Sequence, residues 1–110
     1  MPGTLIISLD FELLWGIFDK VGNKYKPEYF ENTRRIIPQM LDLFAKNQIG
    51  VTWATVGMLF AENEEEWKKY SPEFLPSYRE KKYSAYDWSK VHGIKPEVHF
   101  APDLIHLILD

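Results

Sequence analysis

The chain has 110 residues, a net charge of −3 and no cysteine. That length suits one small domain, and the weak acidic balance gives no broad electrostatic pull toward nucleic acid or an anionic membrane. Disulfides and thiolate metal sites are excluded, which fits a reducing, cytoplasmic setting.

No apolar run approaches the ~20 residues that span a bilayer. The N-terminus lacks the basic flank and long apolar core of a signal peptide. With 45% hydrophobic and 15% aromatic residues, the chain is expected to fold rather than stay disordered.

The first patterned stretch is Leu5-Ile6-Ile7-Ser8-Leu9-Asp10-Phe11-Glu12-Leu13-Leu14-Trp15-Gly16. Its apolar opening predicts a strand over Thr4 to Leu9, buried on both faces as in a parallel sheet. Asp10 and Glu12 follow at i, i+2 spacing, which in an extended chain points both carboxylates to one side at the strand's carboxyl end. Ligands and catalytic groups gather at that end in α/β folds. The pair can hold a metal, or divide into a base and a ligand. The plainer alternative is a solvated loop with Asp10 as turn former. Leu13, Leu14 and Trp15 argue against it, because they need cover.

A long polar connection with a Gly22-Asn23 turn signal comes next. A helix is then expected from Pro27 or Asn32 to Asn47, with Tyr29, Thr33, Ile36, Ile37, Met40, Leu41 and Phe44 as its apolar face. Arg34, Arg35, Asp42 and Lys46 fall off that face and should be solvated. Pro38 should kink the helix or mark its true first turn. Gly50 to Gly57 reads as a second, β-branched strand. Strand, helix and strand with short links make a parallel βαβ unit with a right-handed crossover.

Asn63 to Tyr70 predicts a short capped helix whose charge run is a solvated face. Ser71 to Pro96 shows little periodicity, and its aromatics are expected to pack over the domain or line a groove. A last helix begins near Pro102-Asp103. Two strands alone leave open edges and cannot be buried on both sides. The expectation is therefore a domain truncated at its C-terminus, or one that self-associates through those edges.

The motif from Ile7 to Gly16, the helix, and Val51-Thr52-Trp53-Ala54-Thr55-Val56-Gly57 together resemble the N-terminal part of the polysaccharide deacetylase family (NodB homology, a carbohydrate esterase type). The resemblance implies an incomplete (β/α)7 barrel and hydrolysis of N- or O-acetyl groups on a carbohydrate. It implies Asp10 as general base, Glu12 as the nearest metal ligand, and a divalent metal, zinc, in the complete domain.

The family pattern has two adjacent aspartates, whereas Phe11 separates the acids here. Its His-x-x-x-His ligand pair is absent from this sequence. His92, His99 and His106 are spaced by seven, but Pro96 and Pro102 forbid one continuous helix, so they read as packed or exposed histidines rather than ligands. Trp15 and Trp53 are candidate sugar-facing rings, with core packing as the favoured alternative.

Three functions follow from this reading. The first is a deacetylase fragment, inactive as these 110 residues alone. The second is a noncatalytic carbohydrate-binding or scaffold domain, favoured by the altered acid pair. The third is a small interaction domain that completes its sheet by dimerising.

Overall fold

The structure is a computed structural model that describes residues 2–110. Two parallel strands, β1 (Ser8–Phe11) and β2 (Thr52–Thr55), pair with Leu9 opposite Trp53 and Asp10 opposite Ala54. The long helix α2 (Pro27–Lys46) joins them, preceded by a 3-10 turn (Leu13–Gly16) and the single turn α1 (Phe18–Val21). After β2 come a 3-10 turn (Gly57–Phe60), α3 (Glu64–Lys69), a 3-10 turn (Lys81–Tyr83), α4 (Ala85–His92), α5 (Pro96–His99) and α6 (Pro102–Leu109). The chain is a mixed α/β fold with a parallel βαβ unit. No described helix is long and apolar enough to cross a membrane.

The first strand is shorter and later than Thr4 to Leu9. Leu5 and Ile6 are 85% and 79% exposed and lie outside the ladder. Pairing fails there because β2 begins only at Thr52, whose N–H donates to the Ile7 carbonyl at 3.0 Å. Burial on both faces also fails. Leu9 and Phe11 turn toward the core, while Ser8, Asp10, Thr52 and Ala54 share an exposed face. Openness shows in the dimensions, too. The radius of gyration is 16.0 Å, against about 13 Å for a compact domain of this length.

Helix α2 runs through Pro38 as one helix. It ends in a Schellman motif, with Gln48 N–H on the Ala45 carbonyl and Ile49 N–H on the Phe44 carbonyl. Gln48 takes the left-handed conformation there at φ 55°. The buried stripe keeps the expected Ile37 and Leu41 but also takes in Phe30, while the expected Tyr29 and Ile36 are exposed. Arg34 is not free in solvent. It lies on the stripe, donates to the Phe100 carbonyl at 2.8 Å and pairs with Asp103 at 2.8 Å. Its long stem covers apolar surface while the guanidinium reaches the end of α5.

The core gathers Phe11, Leu14, Trp15, Phe30, Leu59 and Phe100, among others, around the 3-10 turns and α4 to α6. Helix α4 falls in the segment expected to be irregular. Ser84 caps it, its Oγ accepting the Asp87 N–H at 3.2 Å, so the Ser84-Ala85-Tyr86-Asp87 start was a legible signal. The expected helices at α3 and α6 are present. Asn63 caps α3 by accepting the Glu66 N–H at 2.9 Å.

Candidate functional site at the carboxyl end of the sheet

Asp10 stands on the uncovered face of β1, exposed. Glu12 lies one residue beyond the strand, half-buried, and has left the extended conformation at φ −134°, ψ −27°. Leu13 then enters the left-handed region at φ 50°. A branched residue there is strained by about 1–2 kcal/mol, and burial of its side chain holds it in place. This reversal starts the 3-10 turn and folds the Glu12 side chain back over Gly16. Asp10 and Glu12 are thus close in sequence but differently set, one on the open sheet face and the other against the turn.

Gly16 is required by that approach. A Cβ on it would lie 3.0 Å from both Cβ and Cδ of Glu12, and the carboxylate oxygen is closer still. Gly16→Ala should therefore evict the Glu12 carboxylate while costing only about 1–2 kcal/mol, the usual scale of local overpacking. Carboxyl carbon NMR would read the move as a changed Glu12 signal beside a modestly lowered urea midpoint. An unchanged Glu12 signal would refute the contact.

Trp15 is 6% exposed. Its ring stacks on Trp67 with centroids 5.8 Å apart, and His99 meets it edge-on at 4.7 Å. Its Nε1–H donates to the His99 carbonyl at 2.8 Å. Trp53 is half-buried, on the core side of β2, edge-on to Phe11 at 6.3 Å. Both rings belong to the packing around the strand ends.

A cleft of about 580 Å³ opens beside the end of β2, walled by Val56, Gly57, Phe60, Glu66, Tyr70 and Tyr86. Val56 N–H donates to the Phe11 carbonyl at 3.0 Å, which ties this rim to the chain just before Glu12. Neither Asp10 nor Glu12 lines the cleft. Tyr86 stacks on Trp67 at 5.8 Å, and burial, helped by nearby Tyr78, pushes its hydroxyl pKa up. Glu66 is the carboxylate of the wall, and it accepts the Glu62 N–H at 2.6 Å.

Glu66 and Tyr70 lie in the charge run that is expected to be a solvated face. Glu66, Trp67, Tyr70 and Ser71 recur at three- and four-residue spacing, and that period was the available signal. The expectation of a groove lined by Tyr-rich chain holds for Tyr86.

Metal chemistry needs several converging donors. Among the described residues no group of three His, Cys, Asp or Glu side chains could hold an ion. His92 and His106 are exposed, and His99 is 1% exposed within the aromatic core. Asp10 and Glu12 do not by themselves fit a divalent metal. Comparisons with protein-family models, with curated proteins and with solved structures give no match for this chain.

Proposed function

We propose that this chain carries the base-bearing end of a carbohydrate deacetylase of the polysaccharide deacetylase kind, within an incomplete (β/α)7 barrel. The observation that carries the reading is Asp10. An accessible carboxylate stands at the carboxyl end of a parallel strand, on the sheet face it shares with Ser8, Thr52 and Ala54, which is exposed among the described residues. Catalytic groups of α/β folds take that position. The motif around Asp10 supports the same reading.

In the reaction, Asp10 accepts the proton of a water whose oxygen attacks the acetyl carbonyl carbon. The bond from that carbon to the sugar nitrogen or oxygen then breaks, leaving acetate and a sugar that regains a proton. Glu12, held over Gly16, borders the same strand end. The divalent metal implied by the family resemblance requires donors beyond these two acids.

One observation favours the second reading, a carbohydrate-binding domain without catalysis. The aromatic cleft beside β2 presents Tyr70 and Tyr86, flat rings of the kind that stack on sugars, and Asp10 lies outside it.

Acetate release from N-acetylated and O-acetylated oligosaccharides separates the two. The assay compares these 110 residues with a polypeptide continued past Asp110, each with added zinc. Release by the longer polypeptide alone is the expected result. Sugar binding without release from either would favour the binding domain, and neither binding nor release would end both readings.

A further inference from the structure

Two buried polar atoms have no hydrogen-bond partner among the described residues, Trp88 Nε1 and His99 Nε2. Both side chains wall a cavity of about 10 Å³, together with Asn23, Tyr25, His92 and Lys95. One water molecule needs about that much room.

The tautomer of His99 follows from its other nitrogen. Nδ1 accepts the Lys95 N–H at 2.9 Å. The Lys95 carbonyl is also 2.9 Å away, but it already accepts the N–H groups of Val98 and His99 at 3.1 Å each. The backbone N–H has a fixed direction, so Nδ1 is the acceptor and the ring proton sits on Nε2. Two residues lining the cavity thus carry unpaired N–H donors, and a water oxygen seated there can accept from both.

This residue is tied to the strand end. The His99 carbonyl receives Trp15 Nε1–H, the Phe100 carbonyl receives Arg34, and Ala101 N–H donates to the Leu59 carbonyl at 2.9 Å. Trp15 in turn ends the segment that starts with Asp10 and Glu12.

We propose that His99 is a proton-operated latch: neutral, it caps α5 through the Lys95 N–H and shares one buried water with Trp88, and protonated, its Nδ1 can no longer accept that N–H, keeps only the already shared Lys95 carbonyl, and releases α5 together with Trp15. Loosening of α5 frees the turn that holds Glu12. The latch stands whether or not the chain is a deacetylase.

Burial holds the His99 pKa below the ordinary histidine value. The Lys95 carbonyl and Glu97 oppose that shift, and the Lys95 charge adds to it. The other groups facing this site are His92 from α4, Tyr25 before α2 with Lys95 Nζ 5.7 Å from its ring, and Arg34 from α2. A pKa depressed by folding gives stability that is full above the unfolded value of about 6.5 and is lost as pH falls through the folded value.

Urea unfolding of the full chain from pH 8 to pH 5, followed by tryptophan fluorescence, tests the latch. The unfolding constant of the wild type should rise on acidification by up to about tenfold per pH unit, the limit for one proton. His99→Gln should flatten that rise, and His92→Gln should keep it. An unchanged slope in His99→Gln, or no slope in the wild type, overturns the proposal.

If His99→Gln does not fold, imidazole NMR of the wild type decides. A midpoint below the ordinary value, with a proton on Nε2 and a water contact at Trp88 Nε1–H, upholds the latch. An ordinary or raised midpoint, or no water contact, removes it.

Discussion

Trp15→Ala should lower the free energy of unfolding by about 3–5 kcal/mol, the range for deleting a large buried ring. Small domains hold only about 5–15 kcal/mol in total, so the loss removes a large fraction of the stability. The size follows from what the ring touches. It stacks on Trp67, meets His99 edge-on and supplies the donor for the His99 carbonyl.

Trp15→Phe separates packing from hydrogen bonding. It keeps an aromatic ring but leaves that carbonyl short of a partner, for an expected loss of about 1–3 kcal/mol. Urea titration of both variants measures the difference. A loss below about 1 kcal/mol for the alanine variant would mean that the turn after Glu12 is not anchored through this ring.

Asp10→Asn should reduce acetate release by about 10²- to 10⁴-fold in a polypeptide that shows the activity, because an amide of nearly the same shape cannot accept the proton of the attacking water. Stability should hardly change, since the side chain is exposed and exposed substitutions usually stay within about 0.5 kcal/mol. Kinetics should place the loss in kcat and kcat/KM together, the mark of a group used in the transition state rather than in binding. Release within threefold of wild type would remove Asp10 from the base role. Sugar affinity that falls in step with activity would point to a binding role instead.

The elements that local chemistry dictates were readable in advance. Asn63 with acids behind it specifies α3, Pro102-Asp103 opens α6, and the pattern of β-branched and apolar residues marks β2. What depended on partners was not readable. Leu5 and Ile6 carry a strand's composition yet stay outside the ladder, because a strand reaches only as far as its neighbour pairs. Arg34 looked like a surface cation, but the residues that anchor it, Phe100 and Asp103, lie 66 and 69 positions away.

Asp10 was legible because alternation in a strand fixes its side. Glu12 was not, since its own backbone leaves the extended conformation one step after the strand ends. The cleft was hidden for a related reason: its walls come from the turn after β2, from α3 and from Tyr86 of α4, and α4 itself falls in chain without strong periodicity.

Residues 99–101 hold three distant parts of the molecule through two carbonyls and one amide. Main-chain groups are common to almost every amino acid. Phe100 and Ala101 could therefore be exchanged for residues of similar bulk and the three tethers would persist, whereas proline at position 101, which has no amide hydrogen, would cut the one to Leu59. Descendants of this chain could accordingly diverge in letters at this junction while keeping its wiring.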